Sequence, residues 1–244
     1  MTYVRKTHRY GLLVPSSNST QEPEFSQALP GFVSLHTGRL SWSRIDAETV
    51  MRSVDELEFE SRKLADADVD VIVLGIAAAS VALGKGYDEK LIERMEKASG
   101  KPATTSATAF RHALSALGIK RVAIAAPWNE AINITMVNFL EQNGFTVVHS
   151  ELMGYVQNTE LGRVDPESAY TFGRQADRAD AEAVIIPGGN WPTMSIAGRL
   201  ETDLGKPVLT NNCVCIWDAL KIIGCHTSIP GYGRLLGSYL AEEI

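Results

Sequence analysis

The chain has 244 residues, of which 45% are apolar and 21% charged, and its formal net charge is -6. This composition excludes a disordered chain, and the negative charge argues against nucleic acid as the main partner. No apolar run approaches the roughly 18 residues that a membrane helix needs. The polar and basic residues 1–10 are not followed by the apolar stretch of a secretory signal. We expect a cytoplasmic protein of one or two domains.

Strand-like runs alternate with helical patterns along the chain. The longer runs, such as 69–76 and 121–126, are nearly continuous in apolar residues, which is typical of parallel strands buried on both faces. In chain order, the predicted strands are 10–14, 32–36, 69–76, 103–105, 121–126, 146–150, 183–186 and 207–210. The predicted helices are 47–67, 88–98, 107–117, 130–142, 166–179 and 214–223. The alternation predicts an α/β fold with parallel sheets.

A weak internal repeat indicates a duplication. Pro15 and Pro127 lie 112 residues apart, each at the end of a predicted strand, and Leu74-Gly75-Ile76 and Ile186-Pro187-Gly188 stand at the same offset. We therefore predict two pseudo-symmetric lobes, each a parallel sheet flanked by helices, with an active-site cleft between them. The predicted lobes are residues 1–116 plus 225–244, and residues 117–224.

Polar and glycine residues gather after the predicted strands, where ligands bind in open α/β sheets. Residues 16–20 supply five hydroxyl or carboxamide side chains, which is more than a helix cap requires. A Gly-Gly pair allows a ligand to approach the backbone closely. We predict an anion-binding cleft here, although capping and turn formation would explain each cluster taken alone. The candidate binding residues are Ser17, Asn18, Thr105, Gly188, Gly189, Asn190, Thr210 and Asn211.

Cofactor and metal motifs are missing from the sequence. No phosphate loop and no G-x-G-x-x-G follows a strand, and no G-x-S-x-G elbow is present, so we expect no cofactor. The cysteines are Cys213, Cys215 and Cys225, an odd number without zinc spacing, so we expect neither disulfides nor a metal site.

Several segments carry a family resemblance. The stretch from Gly11 to Phe25, His36-Thr-Gly-Arg39, Lys101-Pro-Ala-Thr-Thr105 and Pro230-Gly-Tyr-Gly-Arg-Leu235 resemble the maleate cis–trans isomerases and arylmalonate decarboxylases of the aspartate/glutamate racemase superfamily. The resemblance implies two pseudo-symmetric lobes and cofactor-free chemistry at a carbon next to a carboxylate. It also implies cysteines that flank this carbon, two in racemases, with one serving as nucleophile in isomerases and one retained in the decarboxylase.

The chain departs from this family pattern at both cysteine positions. Ile76 stands where the first-lobe thiol is implied, and Gly188 stands at the second-lobe position. Asn18 and Asn190 match asparagines of the family, so the resemblance still implies that they bind a carboxylate of the substrate. Trp128 replaces a tyrosine common in relatives and is a further candidate binding residue, because it would narrow the pocket and favour a substrate with a hydrophobic part.

Three functional hypotheses remain open at this point. The first is an enzyme that acts on a small carboxylic acid, an isomerase or lyase with enediolate-type chemistry and without the two family cysteines. Its proton-transfer candidates are Glu22 and Cys213, whose thiol pKa a helix N-terminus would lower. The alternatives are a non-catalytic carboxylate-binding protein, and a hydrolase or lyase of a cyclic or amide compound in a catabolic pathway. The expected partner is a small-molecule carboxylate, with no nucleic acid or membrane, and the oligomeric state stays open.

Overall fold

Two parallel sheets form the framework of the protein. The computed structural model describes residues 6–241, apart from the side chain of Ala47, so the outermost residues of the first predicted lobe lie outside the described part. The strand order is β2-β1-β3-β4 in one sheet and β6-β5-β7-β8 in the other. The strands are β1 (His8–Pro15), β2 (Val33–Leu40), β3 (Val71–Leu74), β4 (Ala103–Thr105), β5 (Arg121–Ala126), β6 (Thr146–Leu152), β7 (Ala183–Ile186) and β8 (Val208–Thr210). The same order in both sheets confirms the predicted pair of pseudo-symmetric α/β lobes.

Helices connect the strands, and several of them differ from the prediction. The predicted helix 47–67 is split by a 3₁₀ turn at Val54–Glu56. The helices are α1 (Gln21–Ala28), α2 (Ala47–Ser53), α3 (Leu57–Asp66), α4 (Ala77–Val81), α5 (Tyr87–Ser99), α6 (Ser106–Ala116), α7 (Glu130–Gln142), α8 (Asn158–Leu161), α9 (Pro166–Ala176), α10 (Met194–Leu204) and α11 (Asn211–Ile222). Among residues 6–241, none of these helices is both long and apolar enough to cross a membrane.

Threonines at two strand ends start the helices that follow them. The hydroxyl of Thr105 accepts a hydrogen bond from the amide of Thr108, and the hydroxyl of Thr210 accepts one from the amide of Cys213. Each threonine therefore caps a helix N-terminus, α6 in one lobe and α11 in the other. Because Thr210 is the cap, α11 starts at Asn211, three residues before the predicted start.

The two lobes share their hydrophobic core. Helix α11, which follows the last strand of the second sheet, packs against α6 and also contacts β3 and β4 of the first sheet. The buried apolar side chains of the described residues form one continuous cluster. The predicted lobe boundaries near residues 116 and 224 stay a prediction, since the elements interlock at this point.

The carboxyl ends of the central strands meet where the lobes face each other. In the first sheet β1 pairs with β2 and β3, and in the second sheet β5 pairs with β6 and β7. The turns that leave β1, β3, β5 and β7 carry Pro15, Gly75, Pro127 and Pro187, which all line one cavity. This position agrees with ligand binding at the carboxyl ends of strands in open α/β sheets.

Candidate active site

A small cavity lies between the two lobes. The volume open to the centre of a water-sized sphere is about 30 Å³. A cavity of this size holds a few water molecules. Both lobes contribute to its wall, each through the turns that follow its central strands. The lining residues are Pro15, Asn18, Gln21, Trp42, Ile45, Gly75, Ile76, Ala77, Ala78, Pro127, Trp128, Asn158, Leu161, Pro187, Gly188, Gly189 and Asn190.

Four carboxamide side chains form the polar part of the wall. The Nδ2 of Asn18 donates to Oε1 of Gln21 at 2.8 Å, and the Nε2 of Gln21 donates to the carbonyl of Gly75 at 3.0 Å. Across the cavity, the Nδ2 of Asn190 donates to the carbonyl of Asn158 at 2.6 Å. The Nδ2 of Asn158 in turn donates to Oγ of Ser17 at 2.8 Å. A carboxamide nitrogen carries two hydrogens, and within residues 6–241 each of these makes one such bond, so each keeps a spare donor.

The position of Asn18 is fixed by the start of α1. Its Oδ1 accepts from the backbone amides of Thr20 and Gln21 at 3.0 and 2.9 Å. Arg39 supports the same turn from outside, because its guanidinium donates to the carbonyls of Ser16 and Asn18 at 3.0 Å each. The oxygen of Asn18 is therefore committed to the backbone, and only its N–H group is left to face a ligand.

The rest of the wall is apolar. Trp42, Ile45, Ile76 and Leu161 line it, and Trp128 is buried with an indole N–H that finds no partner among residues 6–241. Because a buried donor without a partner loses free energy, this N–H is suited to a ligand acceptor. Trp191, which follows Asn190 in the chain, is fully buried against Phe172 and does not line the cavity.

Ile76 and Gly188 occupy matching places in the two lobes. Each lies two residues beyond the end of its strand, β3 or β7, and both line the cavity. Gly188 is tightly enclosed, because a Cβ built on it would come within 2.8 Å of Cγ of Pro127. The two strand ends where the family resemblance implies thiols thus carry an aliphatic side chain and bare backbone.

The two predicted proton-transfer residues lie outside the cavity wall. The expectation of a low thiol pKa at Cys213 is wrong, because complete burial raises its pKa to about 12. The Cys213 thiol points to the carbonyl of Tyr232 at 3.7 Å. Glu22 is partly exposed and pairs with Arg39. At Cys213, burial raises the thiol pKa by more than the positive end of the helix would lower it. At Glu22, the carboxylate lies on the outward face of α1 and points away from the cavity.

The predicted binding residues divide into two groups. The structure places Asn18, Trp128, Gly188, Gly189 and Asn190 in the cavity wall. Ser17, Thr105, Thr210 and Asn211 do not line the cavity. The two threonines cap helices, Ser17 donates to the carbonyl of Trp42, and Asn211 bonds to Asn212.

Sequence reasoning missed several residues of the wall, among them the carboxamides of Gln21 and Asn158 and the apolar side chains of Trp42, Ile45 and Leu161. Gln21 stands one helical turn after Asn18, which is the one available signal for it. Trp42 and Ile45 lie in the loop after the edge strand β2, and Asn158 begins the short helix α8 beyond the edge strand β6. No pattern in the sequence marks these residues. They reach the cavity only because the two loops fold over it.

These two loops form a clasp, which we define as residues 43–45 and 156–158. The amide of Ile45 donates to the carbonyl of Val156 at 2.8 Å, and the amide of Asn158 donates to the carbonyl of Ser43 at 3.2 Å. The first loop leaves β2 and the second leaves β6, so the clasp joins one lobe to the other. It covers the cavity and presents Ile45 and Asn158 to it.

The comparisons with known proteins agree with this architecture. The family model described as arylmalonate decarboxylase matches residues 10–236. A maleate isomerase of Geobacillus stearothermophilus is 26% identical, over 96% of this chain and 99% of that protein. A cysteine-to-alanine variant of the maleate isomerase of Pseudomonas putida S16, solved with maleate, matches at a TM-score of 0.92 and 25% identity, covering 96% of this chain and 99% of that one.

A second solved structure adds a chemical detail. It is a cysteine-to-serine variant of the Nocardia farcinica maleate cis-trans isomerase with a covalently bound succinylcysteine intermediate. It matches at a TM-score of 0.89 and 27% identity, covering 94% of this chain and 98% of that one. Since the family model spans nearly the whole sequence, the chain belongs to the arylmalonate decarboxylase family.

Proposed function

We propose that the chain converts a small carboxylic acid through an enediolate-type intermediate, without a cysteine in its cavity, and that it acts as a lyase. The observation that carries this proposal is the composition of the cavity wall. Four carboxamides and the backbone of strand-end glycines face the cavity, whereas none of the lining residues, all within 6–241, has a titratable side chain. The wall can therefore bind an anion but cannot itself exchange a proton.

Membership of this family makes the chain an enzyme of the isomerase or lyase type. A cysteine adduct is present in the Nocardia farcinica isomerase structure. The corresponding step would need a thiol at the cavity, and we take Ile76 and Gly188 to be the positions where relatives carry theirs. All three cysteines of this chain are buried elsewhere in the structure. A covalent route through cysteine is therefore the less favoured one for this chain.

Loss of carbon dioxide needs no side-chain base or nucleophile in its first step. In a malonate-type acid, the bond between the central carbon and one carboxylate breaks, and carbon dioxide leaves. The electron pair of that bond passes to the remaining carboxylate, which becomes an enediolate. A water molecule then donates a proton to the central carbon and leaves hydroxide. Only stabilisation of the enediolate oxygens is required of the protein.

The cavity offers donors for those oxygens. The spare N–H groups of Asn18, Gln21, Asn158 and Asn190 are neutral and held in place by the bonds described above. The indole N–H of Trp128 is a further neutral donor and has no partner among residues 6–241. Preorganised neutral donors in a largely apolar cavity stabilise developing negative charge strongly. The apolar side chains around them disfavour a charged carboxylate, which adds to the driving force for its loss.

The two alternative functions fit these observations less well. A hydrolase needs a group that activates water, and no side chain of the described cavity wall can accept a proton at neutral pH. A non-catalytic binding protein would also use the carboxamides, but the family of the chain consists of enzymes by name.

The test is turnover in heavy water, followed by NMR. We expect methylmalonate or phenylmalonate to give the monocarboxylic acid with deuterium at the α-carbon, together with bicarbonate, while maleate stays unchanged. Conversion of maleate to fumarate with both malonates untouched would show an isomerase instead. If neither malonate nor maleate reacts, although malonate raises the melting temperature, the enzyme proposal is wrong.

A pair of matched variants tests the role of the carboxamides. Asn158→Leu removes a donor from the wall and should lower kcat/KM on the order of a hundredfold. Asn138→Leu makes the same change on the exposed side of α7 and should leave kcat/KM unchanged. Equal effects of the two changes would contradict the assigned role of Asn158.

A further inference from the structure

Glu24 is a mostly buried carboxylate that joins the two lobes beside the cavity. It lies on α1 of the first lobe, and its Oε1 accepts from the backbone amide of Met194 in the second lobe at 3.1 Å. Its Oε2 accepts from Nδ2 of Asn212 at 2.6 Å. A carboxylate accepts from both neighbours at once, which a neutral carboxamide in the same place cannot do without turning an N–H toward a donor.

The contact to Met194 replaces a missing helix cap. Helix α10 begins at Met194, and Thr193 at its cap position makes no side-chain capping bond. The hydroxyl of Thr193 is buried without a partner among residues 6–241. Glu24 thus supplies, from the other lobe, the acceptor that the first amides of α10 need. Its negative charge also suits the positive end of the helix.

The contact to Asn212 leads to the cavity wall. The Nδ2 of Asn212 donates to Glu24 and, at 3.2 Å, to the carbonyl of Gly189, so its two hydrogens are both used. Its Oδ1 accepts from Asn211 at 3.0 Å, which fixes the orientation of the carboxamide. Gly189 and Asn190 follow β7 and line the cavity. Asn212 therefore holds this turn at Gly189, and Glu24 holds its end at Met194.

We propose that Glu24 is a positioning residue of the cavity: its carboxylate, through Asn212 and the start of α10, holds the turn 187–193 in the shape that presents Gly189 and Asn190 to a ligand. This inference rests on the proposed function only in taking the cavity as the reaction site. Glu24 does not line the cavity and touches no ligand there.

The ionisation of Glu24 falls in the range where the turn can respond to pH. Burial raises its pKa from 4.5 to about 7, although the bonds from Asn212, Met194 and Thr193 oppose the rise. The titratable groups that face it are Cys213 on α11 and Tyr232 in the C-terminal segment. Burial raises the pKa of both, so both are uncharged near neutral pH, and Glu24 is the group that changes charge.

Amide hydrogen exchange resolved by NMR tests the proposal without any assay of activity. In the unmodified chain, protection of the amides of Trp191 and Met194, which donate to the carbonyl of Gly188 and to Glu24, should rise about tenfold between pH 5.5 and 8.5, after correction for intrinsic exchange. A local opening that breaks the bonds of Glu24 but leaves it enclosed raises its pKa further, because these bonds are what lowers it. Ionised Glu24 therefore favours the closed turn. Flat protection across this pH range in the unmodified chain overturns the proposal, whether or not any variant folds.

Three variants separate positioning from a general effect on stability. Glu24→Gln should abolish the pH dependence and leave the turn at its low-pH protection. Glu22→Gln, on the exposed face of the same helix, should keep the full pH dependence. Asn212→Ala should lower protection at Trp191 while Met194 keeps its protection and its pH dependence. An unchanged pH response in Glu24→Gln contradicts the proposal.

Turnover then links the turn to the reaction. If a substrate is found, Glu24→Gln should lower kcat/KM about tenfold at pH 8 and remove the ionisation near 7 from its pH profile. A kcat/KM of Glu24→Gln that keeps the profile of the unmodified chain would overturn the positioning role. Failure to find a substrate affects the proposed function alone, because the exchange experiment decides the role of Glu24 independently.

Discussion

Gly189 faces the carbonyl oxygen of Gly75 across the junction of the lobes. A Cβ built on Gly189 would lie 2.9 Å from that oxygen and 3.0 Å from Nδ2 of Asn211. The two turns that line the cavity therefore touch through their backbones. This closeness sets the distance between the lobes at the site, and it leaves no space for a side chain at position 189.

The first prediction concerns this contact. Gly189→Ala should lower the free energy of unfolding by about 2 kcal/mol, because the added methyl group must displace backbone atoms. Gly31→Ala is the matched control, since a Cβ on Gly31 meets nothing within 4 Å. Urea unfolding of the two variants checks the prediction. A loss at Gly189 no greater than that at Gly31 would show that the turns can separate freely.

The second prediction concerns stability against pH. Glu24 has a folded-state pKa of about 7 against 4.5 for the ordinary value, so the folded protein binds this proton more tightly. Its contribution to the free energy of unfolding is complete below pH 4.5 and is lost as the pH rises to 7, by about 3 kcal/mol. Urea unfolding at steps between pH 4.5 and 8 measures the loss, which Glu24→Gln should remove.

The sign of this effect separates it from the effects of other carboxylates. Contacts with Thr49 and Arg94 lower the pKa values of Asp46 and Glu58, so their stabilisation is lost only as the pH falls below the ordinary range. The loss of global stability through Glu24 is also opposite in sign to the local response expected at the turn 187–193, where protection of the amides against exchange rises with pH. A global stability that rises between pH 4.5 and 7 would contradict the buried position of Glu24.

The third prediction concerns the thiols. All three cysteines are buried, and burial raises the pKa of Cys213 and of Cys215 to about 12 each. Because the thiolate is the reactive form, we expect a disulfide reagent such as DTNB to leave the folded protein unmodified for many minutes. In denaturant, three thiols should react at once. Rapid loss of one thiol in the folded protein, together with turnover, would restore cysteine as a candidate.

The fourth prediction concerns a buried polar pair where α11 packs against β4. The hydroxyl of Thr104 donates to Oδ2 of Asp218 at 2.6 Å, and His112 lies 2.8 Å from the other carboxylate oxygen. Thr104→Val keeps the shape and leaves a buried oxygen without its donor, so it should cost about 2 kcal/mol of stability. Thr202→Val, at an exposed helix position, should cost far less. Thermal unfolding of both variants measures the difference.

The fold could be read from the sequence because its strands are buried on both faces. Runs such as Val71–Leu74 and Ala183–Ile186 are apolar at every position, which points to central parallel strands. Helix α10 escaped the prediction because it follows a turn rich in glycine and proline and contains Gly198. Its start depends on Glu24 from the other lobe, and no local pattern can reveal such a cap.

The site was predictable only where it depends on strand ends. Asn18 and Gly188 were found because each follows a buried strand, whereas Asn158 lies beyond an edge strand and reaches the cavity through the clasp. Glu22 and Glu24 look alike in the sequence. Two residues apart on a helix, they point to different faces, and only the packing of α1 decides which of them is buried.

The interlocked helices also determine how a ligand can reach the cavity. Because α11 packs against α6 and reaches β3 and β4, swinging the lobes apart would expose their common core to water. Parting the clasp would uncover Ile45, the one buried apolar residue of the clasp, and break a few hydrogen bonds, such as that from Ile45 to Val156. We therefore expect the clasp to act as the gate for substrate and product, while the two lobes melt together as one cooperative unit.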